Sequence, residues 1–150
     1  MRVICSLSAS LAKSYALSSF SEQALTQSYV NMAFSSTTSD TSTFNVSTSG
    51  QITVLKSGTY EVSFQVYLVG GYSVNDTVQF VVQNNSIGVL GTNYRLLHAT
   101  PYTIVSTNAR IFEATAGDVI TLVGRNQTGA RGTIGSNPVM AGITLRKLSA

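Results

Sequence analysis

The chain has 150 residues, enough for one well-buried core and too few for two ordinary domains. Only 10% of its residues are charged, against roughly 25% in a typical soluble domain, and its net charge of +3 forms no basic stripe, so we expect no nucleic-acid binding. No apolar run approaches the roughly 18 residues of a membrane span, so we expect no membrane insertion.

The first part of the chain, residues 1–27, lacks glycine and carries apolar residues at helical spacing. These are Ile4, Leu7, Leu11 and Tyr15. We predict a separate N-terminal arm here, either extended or weakly helical, because its serines lower helix propensity. An exposed apolar stripe is unfavourable, so we expect these four residues to contact a partner protein, a neighbouring subunit or the chain's own domain.

From residue 29 onward the apolar residues follow a period of two, which is typical of strands. The clearest strand covers residues 60–68, and Asn84 and Asn85 stand where a tight hairpin turn tolerates positive φ. We predict a polar loop at residues 35–43 and a long glycine-rich loop at residues 124–138. The other predicted strands cover residues 29–34, 52–56, 74–83, 87–97, 103–112, 119–123 and 139–148.

About eight or nine strands at intervals of about ten residues predict one antiparallel β-sandwich or jelly roll over residues 28–150. The in-phase apolar side chains should form its core. The predicted core residues are Tyr60, Val62, Phe64, Val66, Val78, Phe80, Ile111, Val119 and Leu122.

Residues with catalytic or metal-binding chemistry are sparse. Cys5 is the only cysteine and His98 the only histidine, so the chain can form neither an intrachain disulfide nor a Cys or His metal cluster. The six carboxylates stand on separate predicted strands and turns, and none follows a calcium-loop pattern. We therefore predict no catalytic residue, no metal site and no cofactor, and we expect a protein that is not an enzyme.

Five blocks of the sequence resemble C1q-like domains, in that family's order and spacing. Residues 50–54 (GQITV) and 57–64 (SGTYEVSF) resemble its glycine and hydrophobic pair followed by glycine-x-tyrosine-x-x-x-phenylalanine. Residues 78–85 (VQFVVQNN) look like the strand that enters its asparagine hairpin. Residues 116–122 (AGDVITL) and 140–145 (MAGITL) are similar to its glycine-aspartate turn and its terminal strand.

This resemblance to the C1q and tumour-necrosis-factor-like superfamily implies an all-β, antiparallel jelly-roll β-sandwich that forms a homotrimer. Members of the superfamily occur as ligands, spore-surface proteins and components of viral particles. The short arm, the single cysteine and the lack of a secretion signal favour a phage or virus particle protein that is made in the host cytoplasm. Because no shaft repeat precedes the sandwich, we favour a capsid decoration (cement) protein on the virion surface, anchored by its arm to the major capsid protein or another virion protein.

The alternative function is a receptor-binding or glycan-binding head of a fibre, a spike or a surface protein. Aromatic rings stack on sugars, and arginine donates hydrogen bonds to them. The candidate ligand-binding residues lie on predicted loops and strand ends, and they are Tyr72, Tyr94, Tyr102, Arg125 and Arg131. Binding to a host-surface glycan would use these side chains.

Overall fold

The computed structural model describes residues 15–95, 103–135 and 142–148, which form two antiparallel β-sheets and contain no helix. The strands are β1 (Tyr15–Phe20), β2 (Gln23–Ala24), β3 (Val30–Asn31), β4 (Phe34–Ser39), β5 (Phe44–Ser47), β6 (Gln51–Val54), β7 (Gly58–Gly70), β8 (Thr77–Asn84), β9 (Ile87–Arg95), β10 (Thr103–Ser106), β11 (Arg110–Ala114), β12 (Val119–Asn126), β13 (Thr133–Ile134) and β14 (Gly142–Lys147).

The two sheets have eight and six strands. The eight-stranded sheet has the order β2-β13-β7-β14-β1-β4, and β10 and β11 pair with β7. The six-stranded sheet has the order β5-β6-β12-β8-β9, and β3 pairs with β12. Apart from the hairpins β5–β6 and β8–β9, neighbours in sheet order are not consecutive in sequence, so the chain crosses repeatedly between the sheets. The predicted all-β antiparallel sandwich is confirmed.

The longest strand, β7, shows how the pattern of residues defines the core. Its alternate residues from Tyr60 to Leu68 are buried, and the residues between them are only partly covered. Opposite them, Val78, Phe80 and Val82 of β8 are fully buried. Strict alternation with period two places one face of each strand in the space between the sheets.

Two predicted core residues stand elsewhere. Ile111 is 59% exposed, because Phe112, its neighbour in β11, points inward and packs against the core. Val119 is only partly buried, and its neighbour Ile120 is fully buried. In both pairs two apolar residues are adjacent, so the sequence does not show which of the two faces the core. The prediction assigned the core position to the residue that faces outward.

The predicted boundary of the arm at residue 27 is wrong for the described residues. β1 lies inside the eight-stranded sheet and pairs with β14 on one side and β4 on the other. Ala16, Ser18 and Phe20 point into the core, so Tyr15 begins a sandwich strand and does not continue a helical stripe. The remaining predicted arm residues, including Ile4, Leu7 and Leu11, lie outside the described residues.

Three further segments differ from the prediction. The polar segment predicted as a loop at residues 35–43 contains most of β4, whose side chains are largely exposed because the strand is at the edge of the sheet. The single strand predicted at residues 103–112 is two strands, β10 and β11. The loop predicted at residues 124–138 contains the end of β12 and all of β13.

The sandwich has two ends, which we name by their connections. The hairpin end carries the β8–β9 turn, where Asn85 and Ser86 have φ of 50° and 69°, and the β11–β12 turn at residues 115–118. The Asp118 carboxylate accepts hydrogen bonds from the Thr115 amide (2.9 Å) and from the Asn84 and Asn85 side chains (3.0 and 2.7 Å). The loop end carries the β7–β8 and β12–β13 connections.

Candidate interaction surfaces

The outer face of the eight-stranded sheet carries two exposed isoleucines. The register places Ile104 of β10 opposite Tyr67 and Ile111 of β11 opposite Glu61, and both partners lie on the outward face of β7. Ile104 is 42% exposed and Ile111 is 59% exposed. Both isoleucines therefore present apolar surface beside the same edge of the sheet.

The rest of this face is mainly hydroxyl and amide groups. Because β7 buries its even-numbered side chains, the register defines which residues of the neighbouring strands face outward. Away from the hairpin end, the outward residues whose side chains are described have no acidic or basic group. Besides the apolar Ile104 and Val69, they are Ser63, Gln65, Tyr67, Ser106, Thr144, Ser19, Ser36 and Thr38.

The charged groups on this face lie towards the hairpin end and are engaged within the chain. Arg146 donates a hydrogen bond to Glu61 across β14 and β7 at 2.7 Å, and Thr59 donates one to Glu113 at 2.7 Å. Burying a charge costs free energy unless it is paired. A partner could cover most of this face without stripping water from an isolated ion.

At the loop end, the β7–β8 connection is held by a buried carboxylate. The Asp76 side chain has no solvent exposure. Its Oδ2 accepts hydrogen bonds from the Ser73 amide (2.8 Å), Asn126 Nδ2 (3.0 Å) and Arg131 Nε (2.9 Å), and its Oδ1 accepts one from Arg131 Nη2. These contacts join the β7–β8 connection to β12 and to the β12–β13 connection.

The hydrogen bonds from Arg131 are the main cause of a lowered Asp76 pKa, which is about 2. Burial raises the pKa of the neighbouring Tyr72 phenol, and the Asp76 charge raises it further. Tyr72 Oη donates a hydrogen bond to the Thr133 carbonyl at 3.2 Å. Its ring lies against Gly132, where φ is +94° and an added Cβ would stand 2.1 Å from the ring.

Arg125 belongs to a second polar cluster, on the outer face of the six-stranded sheet. Gln79 Oε1 accepts hydrogen bonds from Arg125 Nε and Nη2 (3.2 and 3.0 Å), from Tyr29 Oη (2.6 Å) and from Gln127 Nε2 (3.0 Å). The Arg125 guanidinium lies 4.4 Å from the centre of the Tyr29 ring, within the range of a cation–π contact.

The structure brings three of the five predicted ligand residues to the loop end or near it, but it engages each of them in intramolecular contacts. These are Tyr72, Arg125 and Arg131. Tyr94 lies in β9 opposite Val78, and its side chain is outside the described residues. Tyr102 is outside them as well. These intramolecular hydrogen bonds occupy part of the donor capacity of the three described side chains, and their role in ligand binding stays a prediction.

Sequence reasoning missed Asp76 and Gln79, the acceptors at the centre of the two clusters. No local signal marks them, because their partners are up to 55 residues away along the chain. Within the described residues, no three His, Cys, Asp or Glu side chains are grouped so that they could hold a metal ion. The described part of the chain also contains no helix that could cross a membrane.

No protein-family model and no curated protein sequence matches the chain, whereas solved structures do. Murine APRIL at pH 5.0 superimposes with a TM-score of 0.67 at 15% identity, over 91% of this chain and 100% of that chain. Murine APRIL at pH 8.0 gives 0.62 at 16%, over 90% and 98%. Eiger TNF from S. frugiperda gives 0.60 at 18%, over 91% and 94%. The chain therefore has a TNF-like jelly-roll fold, which the sequence resemblance implied.

Proposed function

We propose that the protein is a non-enzymatic homotrimer that acts as a structural module, and that the outer face of the eight-stranded sheet is buried between subunits. The observation that supports this most directly is the pair of exposed isoleucines, Ile104 and Ile111, on a face whose other described groups are mostly uncharged. Large apolar side chains that share one exposed face are typical of an interface. The TNF-like fold is consistent with this assembly.

The energetics favour association through this face. Full burial of an isoleucine side chain contributes about 1.5–3 kcal/mol, and these two are about half exposed, so covering both contributes about 2 kcal/mol per subunit. A closed trimer repeats that contribution at three interfaces. The hydroxyl and amide groups near Ile104 can form hydrogen bonds across the interface at a lower desolvation cost than ions, and the charges near Ile111 are already paired or hydrogen-bonded within the chain.

The test is the oligomeric state of the Ile104→Asp/Ile111→Asp variant. Light scattering on the wild type at micromolar concentration should give three times the chain mass of 15.9 kDa, and the double variant should give a monomer that remains folded. Ile87→Asp is the matched control, because Ile87 is 72% exposed but lies on the six-stranded sheet. A monomeric wild type, or a double variant that stays trimeric, would contradict the proposal.

The finer proposal is that this trimer decorates a phage or virus capsid and is anchored there by residues 1–14. The chain enters β1 at Tyr15, which pairs with Arg146 and whose carbonyl accepts a hydrogen bond from the Asp40 amide (3.0 Å) at the hairpin end. The preceding residues therefore attach at the end opposite the loop end. The apolar residues Ile4, Leu7 and Leu11 fall in this segment.

A deletion of residues 2–14 tests the anchoring role. We expect the deleted protein to fold and trimerise, because β1 and its partners are retained, and to lose co-sedimentation with assembled capsids. The Leu7→Asp/Leu11→Asp variant should behave in the same way with the full chain length. Capsid binding by the deleted protein at wild-type strength would show that the segment is no anchor, and the trimer proposal would be unaffected.

A further inference from the structure

The outer face of the six-stranded sheet contains a trough whose walls are glutamines. β12 is central in this sheet, between β6 and β8. Thr121 of β12 pairs with Gln51 on one side and Gln83 on the other, so the three side chains form one row across the sheet. Adjacent strands lie about 4.8 Å apart, so the two glutamines flank the shorter threonine at a separation of roughly 10 Å.

This difference in side-chain length produces a depression of about 320 Å³. Long side chains form its two walls, and the short Thr121 and Val119 form its floor. The residues around it are four carboxamides, two hydroxyls and one aliphatic side chain. They are Asn31, Gln51, Gln83, Asn85, Ser86, Val119 and Thr121.

The carboxamides of the trough are available for a ligand. The Asn31, Gln51 and Gln83 side chains make no hydrogen bond to any described part of the chain. Asn85, in contrast, is fixed in place, because its Nδ2 donates to Asp118 and its Oδ1 accepts from the Val119 amide at 2.9 Å. The trough thus combines one amide held in place at its end with three amides that have no hydrogen-bond partner among the described residues.

The chemistry of this lining selects a neutral ligand rich in hydroxyl groups. Each carboxamide offers both donors and an acceptor, so it can bind two neighbouring hydroxyls of a sugar ring at once. The aliphatic Val119 can pack against the C–H face of such a ring. No side chain of the trough is charged, and Arg125 lies four residues along β12 from Thr121, roughly 13 Å away. A phosphate or carboxylate would find no cation in the trough.

We propose that this amide trough binds a neutral oligosaccharide. The site does not depend on the proposed trimer, because it is complete within one subunit and lies on the sheet opposite the proposed subunit interface. Association of subunits through the eight-stranded sheet would leave the trough open and would present three copies of it. A protein that binds no sugar could therefore still be a trimer, and a monomeric protein could still bind sugar, so the two experiments test the two proposals separately.

The experiment titrates the wild-type protein with neutral maltohexaose, chitohexaose and N-acetyllactosamine, with a sulfated heparin hexasaccharide as the charged comparison. Binding is followed by the side-chain amide resonances of Asn31, Gln51 and Gln83. The Gln51→Ala/Gln83→Ala variant removes both walls, one at an exposed position and one at a half-buried position. Asn45→Ala is the matched control, because Asn45 is an exposed amide on the same sheet but outside the trough.

We expect at least one neutral sugar to shift these resonances, and we expect the double variant to bind it at least about tenfold more weakly, equivalent to about 1.4 kcal/mol. The control variant should bind as the wild type does. Unchanged thermal unfolding of the double variant ensures that a loss of binding is local. No binding to any of the neutral sugars, equal binding by the double variant, or binding to the sulfated sugar alone would overturn the proposal.

Discussion

Replacing Asp76 by asparagine should remove a pH-dependent part of the stability of the fold. The pKa of Asp76 in the folded protein is about 2, against 3.8 ordinarily, and the hydrogen bonds from Arg131 are the main cause. A depressed carboxylate pKa stabilises the fold at pH values above the ordinary pKa. That contribution, about 2 kcal/mol, is lost as the pH falls from about 4 to about 2.

The Asp76→Asn variant keeps an oxygen that can accept the Ser73 amide but has no charge for Arg131. We therefore expect it to be about 2 kcal/mol less stable than the wild type at pH 6, with the difference shrinking towards zero near pH 2. Asp40 and Asp118 also have lowered pKa values, Asp40 chiefly through its hydrogen bond from Thr43. The wild type and the Asp76→Asn variant will therefore both lose stability in acid. The difference between their free energies of unfolding reports the contribution of Asp76 alone.

Urea unfolding between pH 6 and pH 2, followed by circular dichroism at one fixed protein concentration, measures this difference. Glu22→Gln is the control, because it removes a carboxylate that is exposed at the surface. Parallel pH profiles for the wild type and Asp76→Asn would refute the reasoning, since they would mean that the contact between Arg131 and the buried Asp76 makes no pH-dependent contribution.

Two further substitutions test the core and the loop end. Phe64→Ala should lower the free energy of unfolding by about 3–5 kcal/mol, because Phe64 is 3% exposed and packs on Phe80. The control Ile87→Ala should change it by less than about 0.5 kcal/mol. Equal effects of the two substitutions would mean that the phase of β7 is wrong. Gly132→Ala should lower the free energy of unfolding by about 1–3 kcal/mol, because Gly132 has a positive φ and an added Cβ would meet the Tyr72 ring. The control Gly70→Ala should lower it by less in the same urea assay, because its Cβ would meet no atom within 4 Å.

The sequence predicts strands well where burial is one-sided and continuous. β7 alternates without interruption, so its phase follows from the order of its residues alone. β4 could not be predicted, because an edge strand buries little and its sequence from Phe34 to Ser39 has only one apolar residue. β1 was missed for a related reason, since its central inward residue is Ser18, a buried polar side chain in a strand of otherwise small or aromatic inward residues.

The candidate surfaces were harder to predict than the strands, because they depend on pairings between distant strands. That Ile104 and Ile111 share one face follows only from their register against β7. The row of Gln51, Thr121 and Gln83 likewise exists only because β6 and β8 flank β12. Tyr72, Arg125 and Arg131 were candidates because of their residue types and their positions in predicted loops, and the structure shows that their polar groups form hydrogen bonds within the chain.

The few acidic side chains of this protein act mainly as hydrogen-bond acceptors within the chain. Of six carboxylates, five accept hydrogen bonds within the chain: Asp40, Glu61, Asp76, Glu113 and Asp118. Acidic groups therefore mainly brace turns and neighbouring strands, and the two outer faces carry mainly apolar, hydroxyl and amide groups beside a few charged groups that are paired or hydrogen-bonded within the chain. Contacts through such groups depend on shape and neutral hydrogen bonds, which salt screens far less than it screens ion pairs. Both proposed interactions, between subunits and with a sugar, should therefore persist at high ionic strength.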